Sequence, residues 1–291
     1  MEDQHIPASL FDCPVVESRP VGSYRLISFV AREVAALARP GQFLMVRAAG
    51  QSLDPLLPRP IGVHELESDL VKILIEPVGR GTISLAGLRV GDRLSVLGPL
   101  GNGFDLNGEG PALVVGGGIG AAPLAFLARA LSQRGREVRC LLGFKIRGQA
   151  VAAELFRNQK IDVYTEDGSM GGMGLISEPL PGILAEMQAG GPENAISAAG
   201  DSSDGAIPAD DGETGVAGYH RAAEIFACGP DAMLAALSGI AGDHGAKAQV
   251  SMAAHMACGV GACQGCVIRT VDGYRRACSE GPVFAAGEIA W

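Results

Sequence analysis

The chain has 291 residues, a length that favours two domains over one large one. Its 47% hydrophobic and 19% charged content excludes a wholly disordered chain, and 42 glycines without a three-residue period exclude collagen while demanding many tight turns. A net charge of −9 repels polyanions, so nucleic acid is not an expected partner.

The opening Met1-Glu2-Asp3-Gln4-His5 is acidic and lacks the basic and apolar regions of a secretory signal, so a cytoplasmic location is expected. From about Cys13 to Phe104, short β-rich runs at 24–30, 42–48, 60–66, 70–78 and 93–97 alternate with turn residues and predict a small antiparallel barrel. Arg59-Pro60-Ile61-Gly62 and Gly79-Arg80-Gly81-Thr82 are expected at successive strand ends. There an Arg fork and glycine amides would suit a cofactor diphosphate; each motif alone also fits an ordinary surface turn.

From Pro111 the pattern changes. Strands expected at 112–115, 138–143, 161–165, 224–228 and 246–251 alternate with helices at 121–134, 150–158 and 231–241, which implies a parallel sheet covered on both faces. Residues 112–131 carry a single charge, Arg129, but four glycines and Pro123 break them into strand, turn and helix, so no membrane span is expected. Residues 190–218 are rich in Gly, Ala, Ser, Asp and Pro without periodicity and read as a mobile acidic insertion. The unit after Ser251 is too small to build much core and needs a staple such as a metal.

Three motifs carry chemistry. Val114 to Pro123 places Gly116, Gly118 and Gly120 at a strand-to-helix junction, where exposed amides and the helix dipole suit a pyrophosphate, and where a purely structural turn is equally at home. The following strand ends Leu142-Gly143-Phe144-Lys145 without an acid for a ribose; Glu166 and Asp167 come one strand later. Cys228-Gly229-Pro230 closes a strand and opens a helix at the same sheet edge, so its thiol is either buried or faces a nicotinamide or flavin. Cys258, Cys263, Cys266 and Cys278 space as C-x4-C-x2-C-x11-C, the plant-type order for a 2Fe-2S cluster with a short last interval; a four-cysteine zinc site is the alternative. His64, His220 and His244 read as surface or capping residues, and no acid-base pair stands out.

In this order, an Arg-Pro-Ile strand, Gly81-Thr82, Gly98-Pro99-Leu100-Gly101-Asn102-Gly103-Phe104, the Gly116-to-Pro123 turn, Thr165-Glu166-Asp167-Gly168-Ser169, Cys228-Gly229-Pro230 and the Cys258 motif resemble the electron-transfer subunits of type B dihydroorotate dehydrogenase. That resemblance implies a multi-domain ferredoxin-reductase plan: an antiparallel FAD-binding β-barrel at 8–107, an NAD-binding α/β parallel-sheet domain at 108–250, and a small C-terminal 2Fe-2S domain at 251–291. It puts FAD on Arg59, Pro60, Ile61, Gly62, Leu74, Ile75, Glu76, Gly81 and Thr82. NAD falls on Gly116, Gly118, Gly120, Cys228, Gly229 and Pro230, and the cluster on Cys258, Cys263, Cys266 and Cys278. Electrons would pass from an FMN-containing dihydroorotate dehydrogenase catalytic subunit through the cluster and FAD to NAD+, in a heterotetramer of two subunits of each kind serving pyrimidine biosynthesis.

Two departures stand out. Gly62 replaces the serine that usually ends the Arg-Pro-Ile-Ser motif, and Ser251-Met252-Ala253-Ala254-His255-Met256 lacks the two acids usual before the cluster. The competing enzyme is a related FAD and iron-sulfur subunit linking NAD(P)H to ferredoxin or sulfur compounds, of the sulfide dehydrogenase type. From another class, a zinc-stapled binding protein would use the same glycine turns structurally.

Overall fold

The computed structural model describes residues 9–50, 54–189 and 222–291, so the expected insertion at 190–218 and His220 lie outside the described residues. Seven strands form the first sheet: β1 (Ser9–Val21), β2 (Tyr24–Val30), β3 (Phe43–Ala48), β4 (Arg59–Gly62), β5 (Glu65–Glu67), β6 (Leu70–Ile75) and β7 (Arg93–Leu100). Their order is β4-β3-β7-β1-β2-β6-β5, antiparallel throughout, and the sheet curls until β4 meets β6. The long β1 serves both halves: Ser9–Pro14 pairs with β7, and after a register shift between Val15 and Glu17 the rest pairs with β2. Ile27, Phe29, Leu44, Val46, Val71, Ile73 and Val96 fill the interior with the period of two that strands impose. Two short helices, α1 (Arg32–Leu37) and α2 (Arg80–Ala86), lie against it.

The second sheet contains β8 (Ala112–Gly117), β9 (Val138–Phe144), β10 (Lys160–Thr165), β11 (Gly172–Met173), β12 (Glu224–Cys228) and β13 (Lys247–Ser251), parallel and ordered β11-β10-β9-β8-β12-β13. Helices α3 (Leu124–Gln133), α4 (Arg147–Ala150), α5 (Leu180–Ala189) and α6 (Asp231–Asp243) connect and cover it. Along β8 the side chains divide between two cores, Ala112 and Val114 with α3, Leu113 and Val115 with α5 and α6. Burial on both faces is why this strand reads as an unbroken apolar run. Strand order reverses between β8 and β12, and open α/β sheets bind ligands outside the carboxyl ends of the strands at such a switch point.

Three local expectations need correction. The run at 60–66 is two strands, β4 and β5, broken at Val63 and His64. Gly79 does not end a strand but caps α2, with Thr82 Oγ1 accepting from the Gly79 amide and donating to its carbonyl. In place of the helix expected at 150–158, a 3-10 turn at Val151–Leu155 follows directly on the short α4, and the chain leaves it at Phe156, with Asn158 at a φ of 60° in the turn beyond.

The last residues do not fold apart from the rest. A hairpin, β14 (Val267–Thr270) and β15 (Gly273–Arg276), is followed by β16 (Val283–Ala285), which joins the second sheet antiparallel to β13. Phe284 and Ile289 thereby enter the core of that sheet. So short a segment gains stability by sharing a neighbour's core.

Candidate electron-transfer site

The cysteine loop is built from backbone that only a few residues adopt. Gly259, Gly261 and Gln264 have φ of 74°, 80° and 55°, and these left-handed turns aim successive amides at sulfur. Gly261 N–H donates to Cys278 Sγ at 3.1 Å, Cys263 N–H to Cys258 Sγ at 3.4 Å and Gly265 N–H to Cys263 Sγ at 3.5 Å. All four thiols are free.

Cys258 lies against Cys263, from whose amide its sulfur accepts, and Cys266 and Cys278 share one buried cluster. Burial tends to raise the Cys258 thiol, but the amides of Cys263, Val260 and Ala262 and the Cys263 side chain outweigh it and bring it down to about 6. Burial, reinforced by the Cys266 thiol, pushes Cys278 up to about 11. Among the described residues no three His, Cys, Asp or Glu side chains stand together as a preformed metal site. Four thiolates supplied in pairs, with amide donors at the sulfurs, fit a centre of two irons, each taking two protein ligands.

The loop rests on the barrel. Phe43, Met45 and Leu100 form one buried cluster with Cys266, Ala277 and Cys278, while Leu44 and Val46, on the opposite side of β3, face the barrel interior. Contact is so close at Gly259 that a Cβ there would stand 2.6 Å from Met45 Cγ and 3.0 Å from Leu100 Cδ1. Asn102 adds a hydrogen bond of 3.0 Å from Nδ2 to the Glu280 carbonyl. The segment at Gly101 and Asn102, just after β7, is thus also the dock for the C-terminal unit.

β4 is the neighbour of β3, with Phe43 opposite Gly62, Leu44 opposite Ile61 and Met45 opposite Pro60. The Arg59 guanidinium lies directly over Gly81, where any Cβ would collide with it, and its Nη1 donates to the Leu57 carbonyl at 2.8 Å. The Arg59-Pro60-Ile61-Gly62 strand and the helix that carries Gly81 and Thr82 thus meet through Arg59 and Gly81, on a strand and a helix rather than on two strand ends. Leu74 and Ile75 are buried at the end of β6, and the adjoining Glu76 accepts from Gln149 Nε2 at 3.0 Å, a bond that crosses to α4. An arginine fork held over a glycine suits the phosphates of FAD.

At the switch point the two glycine turns touch. Gly116 pairs with Cys228 across β8 and β12, and a Cβ at Gly120 would stand 2.7 Å from the Cys228 carbonyl oxygen and from Gly229. Gly117 is equally confined by Pro230 and Met233, so these glycines are required for packing. Gly118 differs: its φ is 54° and a Cβ would meet nothing, leaving it open on the carboxyl edge where a dinucleotide phosphate approaches. Burial pushes the Cys228 thiol up to about 11, with a hydrogen bond to Ser251 opposing, which favours its neutral form. Asp167 accepts from the amide and hydroxyl of Ser169, whose Oγ in turn accepts from the Arg147 amide, ordering the β10 loop beside this edge.

Two histidines also resolve. His244 caps α6, its Nδ1 2.9 Å from the Ile240 carbonyl oxygen. His64 is not a surface residue: only 2% exposed, it places Nδ1 2.6 Å from the Ala122 carbonyl oxygen. Nothing local in the sequence announces this, because the partner lies 58 residues on in the other sheet's domain.

Comparison with known proteins agrees with this layout. Residues 253–290 match the family described as the iron-sulfur cluster binding domain of dihydroorotate dehydrogenase B. Proteins named dihydroorotate dehydrogenase B (NAD(+)), electron transfer subunit, are similar over nearly the whole chain. That of Geobacillus kaustophilus is 33% identical, covering 94% of this chain and 98% of its own length. Those of Fusobacterium nucleatum and Desulforamulus reducens are 32% and 31% identical, covering 96% and 91% of this chain and 97% and 92% of their own. Among solved structures, an NADH-dependent reduced ferredoxin-NADP oxidoreductase superposes with a TM-score of 0.75 at 24% identity, over 96% of this chain and 90% of its own. A ferredoxin NADP+ reductase from Neisseria gonorrhoeae, with bound FAD and NADP, gives 0.57 at 14% identity over 81% and 92%. At these identities the structures speak to fold alone.

Proposed function

The chain belongs to the electron transfer subunits of dihydroorotate dehydrogenase B, and from that premise we propose that it carries electrons from a subunit oxidising dihydroorotate to NAD+, in the synthesis of pyrimidines. It is an oxidoreductase subunit and works with a catalytic partner. That partner we take to hold FMN and to assemble as two subunits of each kind, in the cytoplasm; no helix among the described residues is long and apolar enough to cross a membrane. When bound, FAD and a 2Fe-2S cluster supply the redox chemistry, the flavin exchanging both single electrons and pairs.

Each set of residues has a part. Cys258, Cys263, Cys266 and Cys278 hold the irons, with the amides of Gly261, Cys263 and Gly265 stabilising negative charge on sulfur. Arg59, Pro60, Ile61 and Gly62, with Leu74, Ile75, Glu76, Gly81 and Thr82, hold FAD; Gly116, Gly118 and Gly120 with Cys228, Gly229 and Pro230 receive NAD. One observation carries the reading: the cysteine loop sits on the outer face of β3, and the adjacent strand is β4. The chain thus contributes geometry and charge stabilisation rather than acid-base catalysis.

Cys263→Ser tests this. Cys263 is the exposed thiol of the four. In complex with the catalytic subunit the variant is expected to lose dihydroorotate-driven NAD+ reduction while NADH still reduces its FAD. Turnover equal to that of the unaltered complex would contradict the relay.

A further inference from the structure

His64 occupies the break between β4 and β5, where the barrel meets the glycine turn of the second sheet. Three contacts cluster there. Gly62 faces Pro123, with room so limited that a Cβ would stand 2.9 Å from Pro123 Cβ. His64 Nδ1 lies 2.6 Å from Ala122 O. Glu65 Oε1 accepts from Arg129 Nη1 at 2.7 Å, while its Oε2 accepts from Lys72. Three barrel residues, Gly62, His64 and Glu65, are thus tied to the last two residues of the turn and to α3 behind it.

Of the three ties, the His64 bond is the one shielded from water. A carbonyl oxygen only accepts, so Nδ1 carries the proton and the bond has one polarity. Its other restraint is the backbone, since the His64 amide donates to the Lys72 carbonyl at 2.9 Å and locks the residue to β6. The side chain therefore transmits the position of β4 and β6 to Ala122 with little slack. By contrast the Glu65–Arg129 pair is half exposed and adds little rigidity.

We propose that His64 is a positioning residue for hydride transfer: its hydrogen bond to Ala122 sets the distance between the strand that holds FAD and the turn that holds NAD. This rests on the functional reading above. Hydride transfer demands that donor and acceptor carbons be held in near-attack contact, and a misplacement of about 1 Å costs on the order of a hundredfold in rate. In the proposed direction a hydride would pass with its electron pair from reduced FAD to NAD+, and NADH would reduce FAD by the reverse transfer; His64 would hold the two sites in register and exchange no proton.

The test uses the full chain carrying FAD, mixed anaerobically with NADH, following bleaching of the flavin absorbance. His64→Leu fills the space without a donor; His64→Asn keeps a donor close to the position of Nδ1. At saturating NADH the Leu variant is expected to reduce its flavin about ten- to a hundredfold more slowly, with half-saturation by NADH and FAD content little changed. The Asn variant should recover to within about threefold of the unaltered protein. Should the Leu variant not retain FAD, His64→Met, whose flexible chain also lacks a donor, takes its place. A Leu or Met variant as fast as the unaltered protein, or an Asn variant as slow as Leu, overturns the proposal. Failure of NADH to reduce the flavin of the unaltered protein would instead overturn the functional reading, and this inference with it.

Discussion

Gly62 shows how a single atom is decided by a contact between domains. In the Arg-Pro-Ile-Ser motif that this strand resembles, position 62 carries a hydroxyl, and its loss here invites the view that cofactor binding is weakened. The geometry supplies a different cause: Pro123 occupies the space a side chain would need. Gly62→Ser should therefore destabilise the protein by about 1–3 kcal/mol through overpacking, despite restoring the hydroxyl. Thermal unfolding of the FAD-loaded protein checks this, and a melting temperature equal to or above that of the parent would contradict it. Nothing around residue 62 in the sequence hints at Pro123, and the same blindness applies to His64. The tight turns at Gly118 and Gly259 were legible because a glycine's backbone geometry is set by neighbours a few positions away.

At the scale of elements, the legible strands were those whose neighbours do not interrupt them. β2 and β12 have the bounds that their β-rich runs indicate, and α3 shows its buried stripe, Leu124, Leu127, Ala128 and Leu131, at helical spacing. β1 was hidden because Pro14, Pro20 and several charges lie on it; it is tolerated by pairing first with β7 and then with β2. β16 was hidden because it pairs with β13, a strand 32 positions earlier in register at Ser251 and Val283. The element most exposed to a test is the cysteine loop on β3. Gly259→Ala would place a Cβ against Met45 and Leu100 in a backbone conformation, φ 74°, that alanine resists. Iron bound per chain should fall well below that of the parent while FAD content holds. Unchanged iron would mean that the loop is not held by this contact.

For the whole molecule, the barrel is the hub. Its β3 face receives the cysteine loop, its β4 strand receives FAD in our reading, and Val21, Tyr24, Leu26 and Leu74 of β1, β2 and β6 pack into the core shared with α3 and α4. The last segment closes the circuit by giving β16 to the second sheet. A three-unit plan was legible from the change of period near Pro111 and from the cysteine spacing, but the fusion of the units was not, because it rests on contacts between residues distant in sequence. An electron relay of this kind requires iron and flavin to reside in one chain. The direct measurement is the content of the freshly purified, anaerobically handled protein: iron, acid-labile sulfide, zinc and FAD per chain, with the visible spectrum. Two irons, two sulfides and one FAD, in a coloured protein that bleaches on addition of NADH, are predicted; a colourless protein holding one zinc through the same cysteines would contradict it.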